Sequence, residues 1–162
     1  MQDILLKKRT ENDSEFFMKL FAEIKSSELQ LDIWPEPIRT QMISLQFNAY
    51  ESYMNVKFPD NKDYLILYQS EKAGRLQLNT DEMGIRIINI SLFPAYRNKG
   101  IGAKIINDLI LEANQKNKPV FLDVDKINPA LNLYSRLGFK IVQKNEIRYS
   151  MAYTPERATS IN

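Results

Sequence analysis

Two of the chain's five glycines stand one residue apart in the segment Phe93-Pro-Ala-Tyr-Arg-Asn-Lys-Gly-Ile-Gly-Ala-Lys-Ile-Ile106. A strand-like run, Met83 to Leu92, precedes the segment, a helix-like run follows from Ile101, and a proline and two cations, Arg97 and Lys99, fill the gap. A helix that starts at Gly100 or Ile101 points its unpaired N–H groups and the positive end of its dipole back toward those cations. With no Cβ at Gly100 and Gly102, a phosphate can approach the backbone closely. The chemistry on offer is anion binding. The competing reading is a plain turn that needs a glycine ahead of a helix, with Arg97 and Lys99 merely solvated.

Two phosphate motifs are excluded. A dinucleotide fingerprint G-x-G-x-x-G requires glycine at position 105, where Ile105 stands, although Asp123 and Asp125 lie near the usual acidic spacing. A P-loop requires a Gly-Lys pair, and here Ala103 precedes Lys104. The chain also has no cysteine and no histidine. Disulfides, thiolate metal sites, Ser-His-Asp and Cys-His nucleophile systems and most zinc sites are therefore absent, so no metal is expected. Carboxylates, tyrosines, lysines and backbone amides remain as catalytic groups. Lack of cysteine is compatible with a reducing cytoplasm.

The elements that position these groups follow from length and periodicity. At 162 residues, 44% hydrophobic and 26% charged, the chain has the composition of one globular domain able to bury a core. Its 22 basic and 20 acidic residues are interleaved, so no nucleic-acid footprint is expected. The apolar run in the opening Met1 to Thr10 is too short for a signal peptide and no window reaches the length of a membrane span, so a soluble, cytoplasmic protein without membrane partners is expected.

Ile4 to Lys8 reads as a strand. Phe16, Phe17, Leu20, Phe21 and Ile24 recur at helical spacing from Asn12 or Ser14, and residues 35–54 form a second helix opened by Pro35 and Pro37. Tyr64–Tyr68 and Arg75–Asn79 read as a hairpin turning through Ser70 to Gly74, and Ile85 to Leu92 continues the sheet. Ile101, Ile105, Leu109 and Ala113 stripe a third helix, and Val120 to Asp125 is a buried-type strand. A helix opened by Pro129 stops at Gly138, and Phe139–Val142 and Ile147–Tyr153 close the sheet. The order implies an α/β (α+β) mixed sheet with helices packed on it. One domain is expected over residues 1–153, with a loose tail over 154–162.

A second segment sharpens the first. Arg97-Asn-Lys-Gly100-Ile-Gly102 resembles the acetyl-coenzyme A motif of the GNAT superfamily of N-acetyltransferases, an Arg or Gln, two residues, Gly, one residue, then Gly or Ala. The strand Ile88-Asn-Ile-Ser-Leu-Phe-Pro94 resembles the family's strand before that motif, and Asn128-Pro-Ala-Leu-Asn-Leu-Tyr134-Ser-Arg-Leu-Gly138-Phe139 resembles its second signature. The close resemblance covers Gly74 to Phe139, while residues 12–54 match in placement only. It implies a GNAT-type fold: a central, mostly antiparallel mixed sheet of about seven strands, splayed between the fourth and fifth, with about four helices. By the same resemblance acetyl-CoA is the donor. Backbone amides of Arg97, Asn98, Lys99, Gly100, Ile101, Gly102 and Ala103, with Lys104, would hold its pyrophosphate, and backbone groups near Ile90 and Leu92 would pair with its pantetheine arm like an added strand.

The implied reaction is transfer of an acetyl group to a primary amine of a small molecule or protein. The N–H at or near Leu92 would hold the oxyanion. Tyr134 occupies the family position of the acid that protonates the departing sulfur, or is a half-buried hydrogen bonder. Asn128 binds the cofactor or caps the helix at Pro129. Asp81, Glu82, Asp123, Asp125 or a water chain would supply the base, with Glu82 and Asp125 nearest the splay; none is assigned. Trp34, Gln46, Tyr50 and Tyr149 are candidates to line the acceptor site, or core. The alternatives are a non-catalytic acyl-CoA sensor and a scaffold that retains only the fold. A homodimer is the common form of such enzymes.

Overall fold

A computed structural model describes residues 3–156. Its elements are β1 (Ile4–Lys8), α1 (Ser14–Leu29), α2 (Ile38–Lys57), β2 (Lys62–Tyr68), β3 (Glu71–Asp81), β4 (Gly84–Leu92), α3 (Ile101–Lys116), β5 (Val120–Asp125), α4 (Ala130–Arg136), β6 (Lys140–Lys144) and β7 (Arg148–Tyr153). The strands hydrogen-bond in the order β1-β2-β3-β4-β5-β7-β6. β1/β2, β5/β7 and β6/β7 are antiparallel, and β4/β5 is parallel. Parallel neighbours need a crossover rather than a tight turn, and α3 supplies it.

The element succession agrees with the periodicity; one turn does not. The β2–β3 connection is the two-residue pair Gln69-Ser70, both with positive φ (50° and 68°), a geometry whose twist suits a tight hairpin. β3 therefore begins at Glu71, and Gly74, expected in the turn, lies inside the strand. Of the tail expected to be loose, Pro155 is fully buried, and residues 157–162 lie outside the described residues.

Contacts divide the chain into two compact units. One holds the residues up to Leu76 together with Ser91–Arg97; the other holds Gln77–Ile90 and the residues from Asn98 onward. In the first, Phe17 of α1, Phe47 of α2 and Leu65 of β2 form a cluster flanked by Phe16, Met18, Phe21 and Leu67. Beside it Arg75 of β3 is 3% exposed, which is expensive for a guanidinium unless its charge is matched. Its Nη2 donates to Asp63 at 2.7 Å and to Glu51 at 2.8 Å, and its plane stacks 4.5 Å from the Phe17 ring. Arg9 reaches the same two carboxylates. Two cations and two carboxylates make a neutral box pinning β1, β2, β3 and α2 together.

In the second unit, Ile101, Ile105, Ile106, Leu109, Ile110 and Ala113 bury one face of α3, which packs on β5. The rings of Tyr134, Phe139 and Tyr153 follow one another at 6.0 and 6.1 Å, and Tyr153 donates its hydroxyl to Asn114 of α3 at 3.0 Å. Among the described residues no helix is long and apolar enough to cross a membrane.

Removing one member of the neutral box strands the others. Arg75→Met should lower the unfolding free energy by about 3–5 kcal/mol in urea titrations, because Asp63 and Glu51 then share Arg9 alone.

Candidate active site

β4 carries the site because one of its edges is released part-way along. Its pairs with β5 are Ile85↔Val120, Arg86↔Phe121 and Ile87↔Leu122, whereas β4 runs on to Leu92 and β5 to Asp125. The β4–β5 pairing goes no further than Ile87↔Leu122, and this is the expected splay. β5 keeps its other edge on β7 as far as Asp125↔Arg148.

The released edge also changes phase. Ile85 donates its N–H to Pro119 O at 3.0 Å, on the β5 side, and Phe93 donates to Ala73 O at 3.0 Å, on the β3 side. In an unbroken strand, residues an even number apart face the same edge, so one extra residue is inserted between them: a β-bulge. Gly74 locates it. A Cβ at Gly74 would lie 2.0 Å from the Ser91 carbonyl oxygen and 2.9 Å from Leu92 Cδ2. A Cβ stands out of the sheet plane, so the Ser91 carbonyl is tipped out of that plane to meet it. Beyond the bulge Phe93 faces β3, and the backbone of Leu92 therefore faces the released edge. Ile90 lies just before the tipped carbonyl.

The chain then turns through a short 3-10 segment, Pro94–Tyr96, and Arg97 is extended with its Nε donating to Leu92 O at 3.1 Å. That bond ties the loop to the strand end and leaves the guanidinium tip exposed. Asn98 (φ 60°) and Gly100 (φ 80°) take left-handed conformations, and α3 follows at once. Gly100 suits its position because a Cβ is strained at that φ. Lys104 N–H donates to Gly100 O at 3.0 Å and is the first intrahelical bond; no side chain caps the helix. The amides of Ile101, Gly102 and Ala103 thus face outward without helical acceptors.

Ile101 is 1% exposed and anchors this turn, so its backbone alone can serve a ligand. A Cβ built at Gly102 meets nothing within 4 Å, so the space over that amide is open. The loop and first turn fit a phosphate. Of the surrounding cations, Lys104 is engaged by Asp108 at 2.8 Å, and Arg97 and Lys99 are exposed.

Tyr134 lies in the same unit as α3. Its ring is 7% exposed against Phe139, and burial pushes the phenol above its ordinary value of 10.0. The hydroxyl hydrogen-bonds to no described residue, yet no buried side-chain polar atom among them lacks a partner, so the oxygen itself reaches accessible surface. A protonated phenol with an open tip is the state a proton donor needs. Asn128 Oδ1 accepts from Ala130 N–H at 2.9 Å, so the capping role is in place at the start of α4.

The carboxylates differ in placement. Asp81 accepts from Met83 N–H in the β3–β4 turn, and Glu82 lies in that turn, at the opposite end of β4 from Leu92. Asp123 accepts from Ser150 at 2.7 Å and faces Arg86 at 3.6 Å. Asp125, at the open end of β5, accepts from Arg148 at 3.1 Å. Of the acceptor-site candidates, Tyr50 packs on Phe21 at 6.1 Å within the first unit's core, Gln46 is half-buried on α2, and Trp34 is 37% exposed. Tyr149 stacks under Lys126 at 5.2 Å. Gly74 is the residue that sequence reading misses: it sits at the margin of a strand pattern, and only the partner strand shows why a side chain is forbidden there.

A seven-stranded mixed sheet whose parallel central pair opens beside an uncapped helix start is the GNAT acetyltransferase fold. The family model described as acetyltransferase (GNAT) domain matches residues 60–141, about half of the chain, and the chain belongs to this family. Among solved structures it is similar to the PaiA N-acetyltransferase of Thermoplasma acidophilum, determined in complex with coenzyme A, with TM-score 0.69 and 18% identity over 94% of this chain and 99% of that one. It is also similar to PH1933 of Pyrococcus horikoshii OT3, with TM-score 0.68 and 20% identity over 95% and 99%. An acetyltransferase of Thermus thermophilus gives TM-score 0.65 and 14% identity over 93% and 96%. At these identities the likeness is one of fold. No curated protein sequence matches the chain.

Because burial raises the Tyr134 phenol, its contribution to stability is full below pH 10 and is lost as pH rises through the folded-state value. Urea titrations between about pH 8 and 11 should show stability falling on the alkaline side in the parent, with a shallower fall in Tyr134→Phe.

Proposed function

We propose that the protein is an acetyl-CoA-dependent N-acetyltransferase acting on a primary amine, built as a single domain over residues 1–153. The observation that carries this reading is the released, bulged edge of β4 leading directly into the uncapped start of α3. A strand edge suits the amide groups of a pantetheine arm, and the amides of α3's first turn suit a pyrophosphate. Family membership supports acyl transfer, and a relative of the same fold was solved with coenzyme A.

In this reading Ile90 and Leu92 pair with the pantetheine arm. Arg97 to Ala103 hold the pyrophosphate through their backbone, and Lys104 adds charge beside it. Asn128 contributes its side-chain amide, its carbonyl oxygen being committed to the cap. The amine nitrogen forms a bond to the thioester carbonyl carbon and passes its proton to a base, Asp125 or a water chain. Glu82 is disfavoured by its place at the far end of β4.

The carbonyl oxygen becomes anionic, and the Leu92 N–H, fixed by the bulge, donates to it. The carbon–sulfur bond then breaks, and Tyr134 delivers its proton to the leaving sulfur. No metal takes part. The cysteine-free chain suits a reducing cytoplasm.

Thiol release across a panel of amines tests the reading. Turnover with at least one amine is expected; binding of acetyl-CoA without thiol release would indicate a sensor. Loss of all thermal stabilisation by acetyl-CoA, which should reach about 2.7 kcal/mol at a hundredfold excess over Kd, would leave a scaffold. Tyr134→Phe should lower kcat by about 10²-fold or more with acetyl-CoA affinity retained. Gly102→Val should weaken acetyl-CoA binding by about tenfold or more in calorimetry while leaving the fold intact, because its side chain enters space only a ligand would use.

A further inference from the structure

A strand residue turns its own N–H and C=O toward the same edge, so Leu92 carries a donor and an acceptor side by side on the released edge. The acceptor opposes the donor's use. An oxygen that gains negative charge against the Leu92 N–H is repelled by a bare carbonyl oxygen on the same residue. One side chain takes up that carbonyl.

The peptide between Leu92 and Phe93 is held at both ends. Its N–H, on Phe93, donates to Ala73 O of β3 at 3.0 Å. A trans peptide aims its C=O opposite to its N–H, so the Leu92 oxygen points away from β3. There Arg97 Nε donates to it at 3.1 Å. The backbone between the two residues sets the reach: Tyr96 N–H donates to Phe93 O at 2.9 Å and Arg97 N–H to Pro94 O at 3.2 Å, which folds residue 97 back beside residue 92. Rings fasten the turn, Phe93 on Phe16 at 5.3 Å and Tyr96 on Tyr68 at 6.2 Å. No acidic residue stands between Met83 and Asn107, so no carboxylate from this stretch draws the guanidinium away.

We propose that the Arg97 side chain is a positioning residue for the thioester carbonyl. Its Nε takes up the Leu92 oxygen and fixes the Leu92–Phe93 peptide, so that the edge offers the thioester oxygen the Leu92 N–H with no bare acceptor beside it. This rests on the functional reading above and gives Arg97 a part separate from that of its backbone at the pyrophosphate. The part requires an N–H bonded to Cδ and does not require positive charge. Glutamine meets that requirement, since its Nε2 is bonded to Cδ as the arginine Nε is. Lysine has a methylene there and its ammonium one bond farther on, so substitution separates position from charge.

Kinetics and calorimetry on three variants test this. Arg97→Ala and Arg97→Lys should each lower kcat by about tenfold to a hundredfold, and Arg97→Gln should restore it to within about threefold of the parent. Acetyl-CoA affinity should follow charge instead, with Arg97→Lys close to the parent and Arg97→Gln weakened as much as Arg97→Ala. A purely structural bond would not cross the two orders in this way, and circular dichroism and melting temperature should be unchanged throughout. A second readout needs no turnover: the thioester C=O stretch of isotope-labelled acetyl-CoA should move to lower frequency on binding to the parent and to Arg97→Gln, with at least half of that shift lost in Arg97→Ala and Arg97→Lys. If the parent shows this pattern of shifts yet releases no thiol with any amine, the catalytic reading fails and the present proposal is supported. A parent that turns over while Arg97→Gln is as slow as Arg97→Ala, or while Arg97→Lys is as fast as the parent, would overturn this proposal alone, as would an unchanged carbonyl shift in Arg97→Ala. A parent that does not bind acetyl-CoA would overturn both.

Discussion

The place where Gly74 and Ser91 meet governs the chemistry of this chain. A carbonyl oxygen occupies the position that any Cβ at Gly74 would claim, 2.0 Å away, and so residue 74 must be glycine. The tipped carbonyl marks an extra residue in β4, and the extra residue reverses which edge each following amide serves. Phe93 can then bond back to Ala73 while Leu92 turns its backbone toward the edge that β5 has left. Without the bulge, Leu92 would spend its N–H on β3 and the strand would offer no donor at that level.

Charge is handled differently in the two units. In the first, Arg9 and Arg75 are neutralised on the spot by Glu51 and Asp63, with Phe17 covering the guanidinium plane. These cations hold strands and helix together and leave no net charge. At the start of α3 Arg97 and Lys99 are exposed, the first-turn amides have no cap, and Gly102 adds no bulk above them. A formal charge of +2 on the whole chain says nothing of this contrast. Cations balanced inside a core are structural, whereas uncapped amides at a helix start attract an anion.

α2 shows a related division. One face is consumed by the core through Ile43 and Phe47, while Ile38, Leu45, Tyr53 and Val56 on the rest of the helix are apolar and exposed. A helix mixed in this way has weak amphipathic contrast, so sequence periodicity reports a helix without reporting which face the core takes.

Much is legible in the sequence by itself. The order of elements and the two signatures around Gly100 and Tyr134 rest on local patterns: 3.6-residue and two-residue periodicity, proline and glycine punctuation, and fixed motif spacing. Those patterns are short-range, so they survive without knowledge of the fold. What the sequence misses depends on a partner distant along the chain. Gly74 reads as a turn residue because its reason lies seventeen positions later at Ser91. Glu82 reads as near the splay, yet β4 and β5 stay paired at their start and part only after Ile87 and Leu122. In each case the deciding quantity is a distance between residues whose approach is set by strand register and packing, and only the tertiary structure determines that.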